Sequence, residues 1–142
     1  MGVTGVIYLA DKSALARVRT SDLVAGALYP LFRTQVIATC PVIDLEVFYS
    51  ARDQGHYERL LKAQRQLIVL PMTPEVHDRA LEVQQVLIAK SQHRGIGPAD
   101  LLIAACAEVH GATVLHYDRD FDVIAEVTGQ PALWVAPPGS IP

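Results

Sequence analysis

The chain has 142 residues, 51% of them hydrophobic, and a formal net charge of −3. This length fits one domain, residues 1–142, with a sizeable core, and the charge gives no argument for broad electrostatic attraction to nucleic acid or membrane, without excluding a local basic patch. No apolar run reaches the ~18 residues of a membrane span, Met1-Gly2-Val3-Thr4 carries no basic leader, and Val6 breaks the myristoylation pattern, so a soluble cytoplasmic protein is expected.

In chain order, Gly5-Val6-Ile7-Tyr8-Leu9-Ala10 is a short β-favouring run that fits a strand buried on both faces, as in a parallel sheet. Asp11 ends it, and either Asp11 or Ser13 can cap the short helix that follows. Ser21-Asp22 opens a second helix, with Leu23, Ala27 and Leu31 at helical spacing. Val36-Ile37-Ala38-Thr39 reads as a second strand. Pro41 then starts a helix running through Arg52, whose apolar stripe is Val42, Leu45, Glu46 and Tyr49. Asp44 falls roughly 200° round from Glu46 at about 100° per residue, which marks it as an ordinary surface carboxylate.

Tyr57, Leu60, Leu61 and Leu67 give the next helix an apolar side, and Ile68-Val69-Leu70 is a third strand. Thr73-Pro74-Glu75 combines a capping hydroxyl, a proline at the first helical position and an acid in the first turn. Val76, Ala80, Val83 and Leu87 continue that helix to about Lys90. A glycine-bearing loop, residues 91–97, leads into Pro98 and a segment from Leu101 to Ala107 that is apolar on every side. Such a helix is buried all round, yet Asp100 stands in its first turn. Gly111 ends it. Thr113-Val114-Leu115-His116-Tyr117 is a fourth strand, with Asp118 at its carboxyl end. Phe121, Ile124, Ala125 and Thr128 face inward on the helix after it, with Asp122 solvated, and Ala132-Leu133-Trp134-Val135 is a fifth strand. Alternating strands and helices specify α/β architecture around a central, mainly parallel sheet.

Cys40 and Cys106 form no C-x-x-C pair and read as buried free thiols. The histidines show no H-x-x-x-H or H-E-x-x-H spacing, and the chain has no Walker A, G-x-G-x-x-G or G-x-S-x-G motif. Four acids remain: Asp11, Glu46, Asp100 and Asp118. Singly, each has a plain explanation as an N-cap, a macrodipole partner or a face-edge residue. Together they converge, because strand-end acids share one edge of a parallel sheet and helix starts approach that edge. Carboxylates so placed repel one another unless a cation sits among them. Hard oxygen donors select Mg²⁺ or Mn²⁺, which keep waters and bind phosphates. That combination suggests metal-assisted phosphodiester chemistry.

Four segments carry a resemblance: Asp11-Lys12-Ser13-Ala14-Leu15 after a strand, Asp44-Leu45-Glu46-Val47, Pro98-Ala99-Asp100-Leu101-Leu102-Ile103-Ala104-Ala105, and His116-Tyr117-Asp118-Arg119-Asp120-Phe121. In order and spacing they resemble the PIN domain, and more closely the VapC-type ribonuclease toxins of VapBC toxin–antitoxin modules. The resemblance implies a three-layer α/β/α fold and a Mg²⁺- or Mn²⁺-dependent endoribonuclease, with Asp11, Glu46, Asp100 and Asp118 as catalytic metal ligands. It also implies that Ser13 supports the first Asp, that Asp120 is a further acid, and that a cognate antitoxin and a homodimer are to be expected. Lys12, where Thr is common in the family, is a candidate for phosphate contact, as is Arg94 in the glycine loop. His116 stands where Ser or Thr is common, and either reaches the site or is structural. The competing readings are a non-catalytic PIN-like module binding RNA or protein, and a receiver-type phosphoacceptor. The second lacks paired acids after strand one and a suitably placed downstream lysine.

Overall fold

The computed structural model describes residues 5–142; the segment Met1-Gly2-Val3-Thr4, read above for leader and lipidation signals, lies outside them. Five parallel strands form one sheet in the order β3-β2-β1-β4-β5: β1 Tyr8–Ala10, β2 Ile37–Thr39, β3 Ile68–Val69, β4 Thr113–His116 and β5 Ala132–Trp134. The helices are α1 Lys12–Leu15, α2 Asp22–Arg33, α3 Pro41–Tyr49, α4 Gln54–Gln64, α5 Pro74–Ala89, α6 Pro98–His110 and α7 Asp120–Thr128.

Strand alternation explains the layers. Leu9, Ala38 and Val114 point into one apolar cluster, which α3, α5, α6 and α7 complete. Their neighbours Ala10, Ile37 and Leu115 point into a second, with Val24 and Leu28 of α2. Because successive side chains of a strand face opposite ways, the central strands are buried on both sides, as their apolar composition requires. The result is the expected α/β/α sandwich. Helix α6 is its keystone: Leu101 and Ile103 through Cys106 and Ala107 are buried, and the helix packs on α3, α5, α7 and β4. Gly111 ends it with φ of 70°, the left-handed conformation glycine adopts without strain.

Several local expectations are corrected. In α2 the buried pair is Val24 and Leu28, whereas Leu23 and Ala27 are exposed. In α3 Ile43 and Val47 are buried, while Leu45 and Tyr49 are 70% and 85% exposed, and the helix stops at Tyr49 rather than Arg52. Leu67 lies beyond the end of α4. Thr73 stands at the N-cap of α5 but makes no side-chain capping bond. The α5 stripe Val76, Ala80, Val83 and Leu87 is buried as expected. Cys40 and Cys106 are both free and buried.

Asp44 is also corrected: it is no surface carboxylate. It is half-buried, and its Oδ1 accepts from Thr39 Oγ1 at 2.7 Å and Gln64 Nε2 at 2.9 Å. Asp122 is likewise not simply solvated, since its oxygens accept from Trp134 Nε1 at 3.1 and 2.9 Å.

Candidate active site

All strands being parallel, their carboxyl ends share one edge. Leu9 pairs with Val114 and Ala10 with Leu115, so Asp11 emerges beside the end of β4, and its amide donates to Leu115 O at 2.9 Å. Asp11 is 5% exposed and caps α1, its Oδ2 accepting from the Ser13 amide at 3.0 Å. Of the two candidate caps, Asp11 takes the role. Ser13 does something else: its Oγ accepts from the Tyr117 amide at 2.9 Å, tying α1 to the segment after β4.

Asp118 turns back on its own chain. Its Oδ1 accepts from the Asp120 amide at 2.9 Å, and its amide donates to His116 Nδ1 at 3.1 Å. Helix α6 reaches β4 through the tight Gly111 turn and so runs against the strands, which brings its first turn, with Asp100, back to the carboxyl edge. Helix α3 starts from the end of β2, so Glu46 approaches from the other side.

Asp11, Glu46, Asp100 and Asp118 line one cavity of about 250 Å³, together with Lys12, Ser13 and Arg17. At its edge the tightest grouping is Asp100 and Asp118 with Asp120, which is not itself in the cavity lining; each can offer a carboxylate oxygen within 4.8 Å of the others. Asp11 and Glu46 are the wider wall. Asp120, an accessory acid in the sequence, thus belongs to the densest part of the cluster. Arg94 is exposed in the loop before α6 and does not line this cavity.

The electrostatics follow from crowding. Burial first, then the charges of Asp11 and Asp118 and a hydrogen bond with Asp120, push the Asp100 pKa up to about 8. Burial and Asp118 also raise Asp120. Glu46 is raised by burial and Asp11, with Lys12 pulling the other way. Crowded carboxylates whose pKa values are raised, Asp100 most of all, gain from added positive charge, and a divalent cation would supply it. The donors are all hard oxygens, which fits Mg²⁺ or Mn²⁺.

Sequence pattern alone misses Arg17 and leaves the role of His116 open. Arg17 lines the acidic cavity, donates to Ser13 O at 2.6 Å and Pro142 O at 3.2 Å, and lies 4.7 Å over the Tyr117 ring. Its position just past the end of α1, four residues after Ser13, was the available clue. His116 is fully buried, with ring centroids of Phe121 and Trp134 at 5.1 and 5.0 Å, so it supports the site from beneath. Burial lowers its pKa, and the Nδ1 bond to Asp118 leaves the proton of the neutral ring on Nε2.

The sequence matches the PIN domain family over residues 8–127. It is 46% identical over 134 residues to Ribonuclease VapC51 of Mycobacterium tuberculosis (strain ATCC 25618 / H37Rv), covering 94% of this chain and 96% of that protein. Ribonuclease VapC21 of the same strain is 42% identical, with the same coverage. Among solved structures, VapBC2 from Rickettsia felis bound to a promoter DNA fragment shares the fold, with a TM-score of 0.76 at 18% identity over 91% of this chain and 98% of that one. FitAcB from Neisseria gonorrhoeae shares it at a TM-score of 0.72 and 19% identity, covering 89% and 96%.

Proposed function

The chain belongs to the PIN-domain family, within its VapC ribonucleases, and from that premise we propose how its own residues cut RNA. The protein is an endoribonuclease, the toxin of a toxin–antitoxin pair, and residues 1–142 act as one unit. The observation that carries the site assignment is the packing of Asp100, Asp118 and Asp120 oxygens within 4.8 Å, walled by Asp11 and Glu46.

Asp100, Asp118 and Asp120 are the residues to hold Mg²⁺ or Mn²⁺, with Asp11 and Glu46 completing the oxygen wall. The bound ion supplies charge neutralisation at the scissile phosphate and a water of lowered pKa for in-line attack. Asp11 is held in one orientation by the Ser13 amide, so its free oxygen faces the cavity without rotamer loss. Glu46, with its raised pKa, is suited to take a proton from the attacking water at its carboxylate oxygen. Lys12 places an ammonium on the cavity wall, where it can meet a phosphate oxygen. Arg94 is assigned to RNA outside the cleft.

A cognate antitoxin is the expected inhibitor; that structural neighbours of this chain are VapBC assemblies supports it. Leu45 and Tyr49 leave an exposed apolar stripe on α3, which supports pairing of two copies. No helix among the described residues is long and apolar enough to cross a membrane.

The test is cleavage of total RNA by purified protein with Mg²⁺, with Mn²⁺ and with chelator. Cleavage is expected only with metal, and Asp100→Asn is expected to abolish it. Equal cleavage in chelator would overturn the metal assignment.

A further inference from the structure

A second cavity, of about 470 Å³, opens between α1, α2, the end of α3 and α4. It shares Lys12 and Ala16 with the acidic cavity, so the two lie side by side. Its floor is apolar and includes Phe32, Val47 and Leu60. Its rim carries Arg19, Arg52 and Arg59, all exposed, with His56 among them. No Asp or Glu lines it among the described residues. In a chain of net charge −3, that is a concentrated positive patch. His56 registers the field: desolvation first, then Arg52 and Arg59, hold its pKa below the ordinary value against the opposing charge of Asp53, which also offsets part of those two arginines.

An occupant that is anionic at the rim, apolar on the floor and able to reach the neighbouring acidic cavity matches this lining. A nucleotide has that character. Its phosphate is read by guanidinium groups, which match it bidentately, and its base packs on apolar and aromatic side chains. The volume lies within the about 300–1,000 Å³ of small-ligand pockets. We propose that this cavity receives an unstacked base of the RNA strand next to the cut, with Arg52 and Arg59 gripping its flanking phosphates. The inference rests on the ribonuclease reading and names the part of the substrate that sets its path. It also implies single-stranded or looped RNA, since a paired base cannot enter a pocket.

The experiment measures affinity for a short fluorescein-labelled single-stranded RNA of mixed sequence, by anisotropy, with the full chain in chelator so that nothing is cut. Arg52→Glu/Arg59→Glu is expected to weaken binding at least tenfold. It should also flatten the dependence of log affinity on log salt by about 1.4, roughly 0.7 per lost phosphate contact on a single strand. Ala63→Trp, which fills the cavity wall without changing charge, is expected to weaken binding severalfold with the salt slope unchanged. Thermal melts check that each variant is folded. Unchanged RNA affinity in both folded variants overturns the proposal. So does unchanged RNA affinity with lost inhibition by the cognate antitoxin, which would give the groove to a protein segment. Wild-type cleavage of total RNA with Mg²⁺ is scored separately. Protein that binds RNA through this groove but cuts nothing would overturn the nuclease reading and not the groove.

Discussion

The amide of Asp118 donates to Nδ1 of His116 at 3.1 Å, and His116 has no solvent exposure at all. A buried ring wedged between Phe121 and Trp134 cannot shift, so it fixes the backbone from which an acid of the cluster projects. His116→Phe keeps the ring packing and removes the acceptor. It should cost about 1–3 kcal/mol by urea denaturation, the penalty for stranding a donor. It should also slow RNA cleavage about tenfold, equivalent to about 1.4 kcal/mol in the barrier, with KM little changed. Wild-type rates from a measurably destabilised variant would show that the bond holds the fold and not the acid.

Crowding at Asp100 makes a statement about pH. Its folded-state pKa is about 8, against about 3.9 in an unfolded chain. Between those values the folded protein binds the extra proton, so stability falls as pH rises. The contribution is full below about pH 4 and is gone above about pH 8. In chelator, melting temperature should therefore drop from about pH 5 to about pH 8, and saturating Mg²⁺ should flatten that slope. Asp100→Asn should flatten it without metal and raise the melting temperature at the alkaline end. A melting temperature that rises with pH across this window, in chelator, would contradict the crowded cluster.

Ser13 joins segments 104 positions apart through the Tyr117 amide. Ser13→Ala strands that part-buried donor and should cost about 1 kcal/mol, with a severalfold loss of cleavage as Asp11 and Asp118 drift apart. Ser13→Thr keeps the oxygen and should restore most of both. Failure of Thr to outperform Ala would show that the hydroxyl makes no contribution there.

Asp122 serves as a control. Its carboxylate holds Nε1 of Trp134, the chain's single tryptophan. Asp122→Ala should shift tryptophan emission and cost about 1–2 kcal/mol. RNA cleavage should fall less than in His116→Phe, because the Asp122 carboxylate lines no part of the acidic cavity and bears on it only through Trp134 and His116. A loss of cleavage at unchanged stability would place Asp122 in the site after all.

The parts legible in the sequence were those with local causes. Pro98 and Gly111 bracket α6, and its all-round apolar content foretold burial. Asp11 and Asp118, each directly after a β-favouring run, were placed at one edge by parallel topology alone. The α3 face was misread because Val42, Ile43, Leu45, Val47 and Phe48 are apolar nearly all round, so periodicity does not choose a side. The choice is made by tertiary partners: Thr39, five residues before Asp44, and Gln64, twenty after it. Asp122 and His116 were obscure for the same reason, since Trp134 becomes their neighbour only when β5 pairs with β4. The weight of Asp120 within the cluster depends on the backbone turn at Asp118, which no spacing reveals.

Helix α4 is attached in an unusual way. Its single buried residue is Gln64, whose amide donates to Thr39 Oγ1 at 3.1 Å and Asp44 Oδ1 at 2.9 Å. Helix α6 is instead seated by a continuous apolar surface. Beyond Gln64, α4 is held by partly buried contacts, Leu60 on the core and Tyr57 edge-on to Phe48, whereas α6 is buried nearly all round, so the two elements open with different free energies. Amide hydrogen exchange should report this as two cooperative units: α4 exchanging early through sub-global opening, and α6 only with global unfolding.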